Sequence, residues 1–212
     1  MSNTNSNNYI SQNNKFFGRW ARLYDYEKYF LSGPRIKAVK FLDLQSSKKI
    51  LDVATGTGAQ AFELAKFGHD VIGIDLSPEM IFQANKKLSP KLKLKFMVAD
   101  GVKLPFVNES FDIVTISLGI HEMPYEIGIK VLKEMKRVLK NDGKMLIIDY
   151  MNPINHWVAK ITHQFIKLYE PDNYRQFIKN GLENYIKKVQ LTIIKDDNYL
   201  GVLDYFLLRK RQ

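Results

Sequence analysis

The 212-residue sequence contains no cysteine, so disulfides, thiolate zinc sites, iron–sulfur clusters and cysteine nucleophiles are all excluded. Arginine is scarce as well: 7 of the 32 basic residues are Arg, beside 25 Lys, 20 Ile and 15 Asn. Dedicated readers of phosphates or bases favour Arg for its bidentate fork. A Lys/Ile/Asn surplus is what an AT-rich genome produces. The formal charge of +10 is therefore assigned first to compositional drift and second to an anionic partner, either RNA or a peripheral membrane surface. No basic block reaches five residues. The longest apolar stretches, such as Phe111–Ile120, fall far short of the ~20 residues a membrane span needs. No targeting segment is evident at the start of the chain, and a cytoplasmic protein is expected.

What is present is ordinary for a globular chain: 45% apolar and 25% charged residues. The length suits one domain. Residues 1–14 are polar and Asn/Ser-rich, and are expected to form a disordered tail because they hold little to bury. Residues 15–212 are assigned to the domain. Within it, residues 15–44 are read as N-terminal cap helices rich in aromatics, including Phe16, Phe17, Trp20, Tyr24, Tyr26, Tyr29 and Phe30.

An alternation then begins. Short apolar runs at 49–54, 71–74, 92–98, 111–117 and 144–149 read as strands. Helices are predicted at 59–67, closed by Gly68, and from Ser77-Pro78-Glu79 to about Leu88. A third is predicted at 126–140, stopped by Asn141-Asp142-Gly143. These alternations predict a doubly wound, mostly parallel α/β sheet with helices on both faces. Two more helical stretches, about 154–169 and 173–189, precede runs at 190–195 and 202–209. Those two runs are expected to form an antiparallel hairpin around Asp196-Asp197-Asn198, completing seven strands.

The stretch Asp52-Val53-Ala54-Thr55-Gly56-Thr57-Gly58 joins the first strand to the first helix, where ligands bind in such folds. Two readings stand. Gly56-x-Gly58-x-x-Ala61 with Asp75 nineteen residues after Gly56 fits a dinucleotide site. Asp52-x-Ala54-x-Gly56-x-Gly58 fits an S-adenosylmethionine site, with Ala in place of the first glycine. A pyrophosphate over this loop would be repelled by Asp52, whereas the ammonium of a methionine moiety would be attracted. The roughly 60 residues after the fifth strand also leave little room for a dehydrogenase's substrate domain. A bare turn, with Asp52 as its cap, is the third option.

Several ordered motifs together resemble the class I S-adenosylmethionine-dependent methyltransferases, in the small-molecule branch that includes ubiquinone/menaquinone-biosynthesis C-methyltransferases. These are Tyr24-Asp25, ILDVATGTG at 50–58, GIDLSPEM at 73–80, VADGVKLPFVNESFDIV at 98–114 and EMKRVLKNDGKMLIIDY at 134–150. In the last, Asn141-Asp142 stands where Pro-Gly is usual. The resemblance implies a Rossmann-like fold and S-adenosylmethionine as cofactor, with no metal. It implies that Asp75, followed by Leu76, takes the ribose hydroxyls, and that Asp100 with Gly101 contacts adenine. It further implies that Ala54, Thr55, Gly56 and Gly58 line the methionine part, that Asp52 holds its ammonium, and that Tyr24 and Ser117 complete the cofactor site. The Ala54 departure is harmless if its φ is negative, which Ala permits.

The acceptor is expected to be a small aromatic or lipid-like molecule resembling a quinone precursor. An RNA-directed methyltransferase, or an RNA-binding relative of one, is the alternative. His121, in the stretch Ser117–Pro124 after the fourth strand, is the foremost candidate base, with a satisfied structural histidine as the competing reading. Tyr24, His156 and His163 are weaker candidates. Residues 151–189 are read as lid helices carrying His156, Trp157, His163, Phe165, Tyr169 and Tyr174, a density suited to a flat or hydrophobic acceptor.

Overall fold

The computed structural model describes residues 28–151, 160, 164 and 173–211. The expected N-terminal tail, Tyr24 and Asp25, and the segment holding His156, Trp157, His163, Phe165 and Tyr169 lie outside the described residues. The chain divides between Gly101 and Val102 into two compact units. Seven strands, numbered along the chain, form one mixed sheet, as the sequence pattern predicts; their order is β3-β2-β1-β4-β5-β7-β6.

The first unit opens with α1 (Lys28–Leu42), followed by β1 (Lys49–Val53), α2 (Ala59–Lys66), β2 (Asp70–Asp75), α3 (Pro78–Asn85) and β3 (Leu94–Val98). The three strands are parallel, with Asp52 opposite Gly73 and Asp75 opposite Val98. Ile50, Leu51 and Val53 are buried, which is why β1 reads as a continuous apolar run. Helix α2 stops where expected, because Gly68 adopts φ +89 and donates its N–H to Ala65 O at 3.0 Å. The Ser77 hydroxyl accepts from Met80 N at 3.3 Å and caps α3. That helix ends at Asn85, three residues before the expected end.

The second unit contains β4 (Phe111–Ser117), α4 (Tyr125–Val138), β5 (Leu139–Tyr150), α5 (Asn173–Asn180), α6 (Leu182–Lys188), β6 (Leu191–Tyr199) and β7 (Leu203–Lys210). Helix α4 buries Ile127, Val131, Leu132, Met135 and Val138 along one stripe. Arg137 near its end forms a bidentate pair with Glu134 and donates to the carbonyls of Leu104 and Phe106, while Glu134 accepts from Leu104 N. This fork fastens the segment before β4. The Arg137 guanidinium also holds the Glu134 carboxyl below its ordinary pKa.

Three expectations are corrected here. Asn141-Asp142-Gly143 is not a helix stop: α4 ends at Val138, and the tripeptide belongs to β5. It lies in an irregular stretch where Phe111 faces Leu139 but Ile113 faces Lys144. Glycine is required there because a Cβ on Gly143 would meet Asp112 O at 2.8 Å. The stretch 173–189 is two helices, not one, broken at Gly181 with φ +71. The hairpin turns at Leu200-Gly201, both with positive φ, and Asp196-Asp197-Asn198 lie within β6.

Candidate functional site

In the first unit, the residues singled out by the sequence collect around the carboxyl ends of β1 and β2. Asp52 is the penultimate residue of β1, at 1% exposure, and its Oδ2 accepts from the Thr55 hydroxyl at 2.6 Å. The loop is pinned to β2 by Thr55 N donating to Ile74 O at 2.9 Å. Asp75 closes β2. Its Oδ2 accepts from Gly56 N at 2.8 Å and its Oδ1 from Ser77 N at 2.9 Å. Burial pushes the Asp75 carboxyl above its ordinary pKa, and the N–H groups of Ser77, Gly56 and Leu76 only partly offset this. The carboxylate presents its two oxygens side by side, one held by Gly56 N and the other by Ser77 N. Two adjacent acceptors of this kind match a vicinal diol.

The glycines divide into two kinds. Gly56, at φ +56, faces open space among the described residues, none of which comes within 4 Å of a Cβ built on it. Gly58, at φ +85, faces protein: a Cβ there would lie 2.4 Å from Phe96 Cζ. Gly73 has the same neighbour, since its Cβ would lie 2.6 Å from Phe96 Cδ1. Phe96 on β3 therefore sits over two glycines that are far apart in sequence, with Phe62 at 5.5 Å between centroids. Sequence reasoning missed Phe96, because its role depends on the β2–β3 register.

Ala54 departs from expectation. Its φ is +53, in the left-handed region that the family pattern fills with glycine. The condition under which the substitution would be harmless is not met. An L-residue there costs about 1–2 kcal/mol. Ala54→Gly should therefore stabilise the chain by about 1 kcal/mol and raise Tm by about 2–4 °C in a thermal melt. An unchanged or lowered Tm would contradict the strain.

Asp100 and Gly101 follow β3 and are half-buried; Ala99 N donates to Asp75 O at 2.9 Å, which brings this stretch to the end of β2. Leu76 is half-buried beside Asp75. These residues fit the nucleoside part of S-adenosylmethionine: a paired acceptor at Asp75, polar groups past β3, and an approach at Gly56 that no described residue fills.

In the second unit, Ser117 ends β4 and Leu118 follows at φ +55. His121 is 2% exposed and its Nδ1 lies 2.6 Å from Asp149 Oδ1, with Asp149 fully buried at the end of β5. Asp149 also accepts from the backbone N–H of Ile120, His121 and Tyr150. The sequence reading found His121 but gave Asp149 no role. The only available signal was a lone acid closing an apolar strand. Nearby, a cavity of about 270 Å³ is lined by Tyr150, Phe177, Phe206, Asp204 and Glu183 among others. Burial, then the carboxylates of Glu183, Asp196 and Asp149, push Asp204 up to about 6. No cluster of metal-ligating side chains is found among the described residues, and no helix among them is long and apolar enough to cross a membrane.

Residues 50–143, spanning both the glycine loop and the Arg137 fork, match the family described as "Methyltransferase domain". The chain is 42% identical over 122 residues to a ubiquinone/menaquinone biosynthesis C-methyltransferase UbiE of Citrifermentans bemidjiense, covering 55% of this chain and 51% of that protein. It is 39% identical over 172 residues to the protein of the same name from a Geobacter species, covering 78% and 72% respectively. The chain thus spans about half the length of the first of these relatives. Among solved structures, a SAM-dependent methyltransferase from Aquifex aeolicus superposes with a TM-score of 0.66 at 20% identity, covering 82% of this chain and 88% of that one. That likeness shows the shared fold. With its glycine loop, its paired Asp75 acceptor and a relative this similar over most of its length, the chain belongs to the class I S-adenosylmethionine-dependent methyltransferases.

Proposed function

We propose that the protein moves a methyl group from S-adenosylmethionine to a small, aromatic, quinol-like acceptor. The observation that carries the cofactor half is Asp75, whose two oxygens are oriented by Gly56 N and Ser77 N at the carboxyl end of β2. Asp75 would accept from the two ribose hydroxyls. Asp100, Gly101 and Leu76 would border the adenine, and Ala54, Thr55, Gly56 and Gly58 form the loop for the methionine part. Asp52, buried and tied to Thr55, acts on the ammonium through its charge. S-adenosylmethionine, when bound, supplies an electrophilic methyl on a sulfonium centre.

Two observations support the acceptor half. The curated relatives carry names of quinone-pathway C-methyltransferases, and another is named demethylmenaquinone methyltransferase. In the second unit, Tyr150, Phe177 and Phe206 give a cavity aromatic walls suited to a flat ring. No observation favours the RNA-directed alternative.

The test is transfer of a radiolabelled methyl group from S-adenosylmethionine to a panel of reduced demethylmenaquinones and simple hydroxynaphthalenes. Label is expected in the organic extract. Cofactor binding without label transfer to any panel member overturns the acceptor reading, and label in added tRNA replaces it with the alternative.

A further inference from the structure

We propose that the cavity of the second unit is a site for a small aromatic cation, its ring held by Tyr150, Phe177 and Phe206 and its ammonium by Asp204 and Glu183. The ring half rests on the acceptor reading; the demand for a positive charge goes beyond it.

Charge separates this cavity from the rest of the molecule. The chain carries 32 Lys and Arg against 22 Asp and Glu, yet the cavity is lined by two carboxyls and by no basic side chain. Asp204 stands directly opposite Asp149 in the β5–β7 pairing, and like charges so placed on neighbouring strands are destabilising. Asp149 is compensated by His121 Nδ1 and by the N–H groups of Ile120, His121 and Tyr150. Asp204 is not: its carboxyl forms no hydrogen bond or ion pair among the described residues. The groups facing it are Asp149 from β5, Asp196 and Asn198 from β6 and Glu183 from α6, each acidic or neutral. A positive charge is what this position lacks.

Size and walls point to the same ligand. The cavity, about 270 Å³, lies just below the usual range of about 300–1,000 Å³ for ligand pockets, so it suits one ring with a short side chain. Aromatic faces attract an ammonium through their quadrupole. Ile178 and Asn180, at the end of α5, also line the cavity, and a helix C-terminus carries partial negative charge. Glu183 sits in the first turn of α6 and serves that helix's positive end as well. Asp204, on β7, has no such second duty.

The entry of an ammonium is linked to a proton. Burial and the neighbouring carboxylates hold Asp204 up at about 6. A cation beside it favours the ionised form, so the carboxyl proton passes to water as the ligand binds. Below about pH 6 the carboxyl is protonated and the attraction weakens.

Calorimetry on the full chain, without S-adenosylmethionine, compares phenethylammonium with 2-phenylethanol, its neutral counterpart. At about pH 7.5 the ammonium should bind at least about tenfold more tightly, and the preference should shrink towards about pH 5 as Asp204 takes up a proton. An alkylammonium titrates near about 10, like lysine, so the ligand charge is constant over that range. Asp204→Asn should abolish the preference and raise Tm, since it removes the repulsion facing Asp149. Equal affinity for the two ligands, no binding of the ammonium at about 10 mM, or a preference that persists in Asp204→Asn overturns the site. If Asp204→Asn does not fold, the pH series on the wild-type chain decides, and a preference that does not change with pH overturns it. Failure of the methyl-transfer reading shows separately, as a quinol panel that takes no label while phenethylammonium still binds.

Discussion

Asp75→Ala should weaken S-adenosylmethionine binding by at least about 100-fold in calorimetry. A hydrogen bond to a charged group is worth about 1.5–3 kcal/mol, and the carboxylate would accept two of them from one ribose, giving about 3–6 kcal/mol in all. The substitution also removes the acceptor for Gly56 N and Ser77 N, at 2.8 and 2.9 Å. The loop and the α3 entry are then no longer held, so the effect on affinity should exceed the two bonds alone. A thermal melt without cofactor separates the contributions, because loosened loop contacts lower Tm whereas lost ligand contacts do not. Unchanged affinity would remove Asp75 from the cofactor site.

The pH dependence of binding has a definite sign. Burial raises the Asp75 pKa above its unfolded value, so the folded state holds this proton more tightly than the unfolded chain does. Asp75 therefore favours folding below its unfolded pKa, and that contribution is lost as pH rises through the folded one. Hydroxyl donors prefer the ionised carboxylate, so cofactor affinity should strengthen over the same rise. Opposite slopes of apo stability and cofactor affinity mark a carboxylate kept for binding rather than for stability.

What the sequence made legible was local. The apolar run 49–54 ahead of two glycines, the Ser77 cap and the Gly68 stop each depend on neighbours a few residues away, and each is found near its expected place. The candidate cofactor residues Asp52, Gly56 and Asp75 were legible for the same reason, since strand ends and glycine spacing place them. What stayed hidden depends on residues brought together from afar. Asp149 meets His121 across 28 positions, and Phe96 fills the space above Gly58 and Gly73 only through strand pairing. The Ala54 backbone could not be read either, since one letter does not report the sign of φ. The long β5 was obscured because Asn141-Asp142-Gly143 carries the composition of a helix stop while sitting in an irregular strand pairing.

Gly58→Ala should destabilise the fold by about 2–5 kcal/mol, a large share of the roughly 5–15 kcal/mol available to a domain. Two effects add. At φ +85 a side chain occupies the left-handed region, which costs about 1–2 kcal/mol. The new Cβ would also lie 2.4 and 2.7 Å from the ring of Phe96, an overpacking worth about 1–3 kcal/mol. The Phe96 ring packs on Phe62, with centroids 5.5 Å apart, which limits its retreat. Denaturant unfolding of Gly58→Ala, Phe96→Ala and the double variant separates the two effects. In the double variant the clash is relieved and the backbone cost remains, so the coupling should be about 1–3 kcal/mol. Gly56→Ala is the control: with φ +56 and nothing among the described residues within 4 Å of its Cβ, it should lose only the backbone part of the stability. Its methyl group would instead enter the open approach beside Asp75, and the loss should fall on cofactor affinity. If Gly58→Ala unfolds at the wild-type denaturant midpoint, Phe96 does not hold the glycine loop in place.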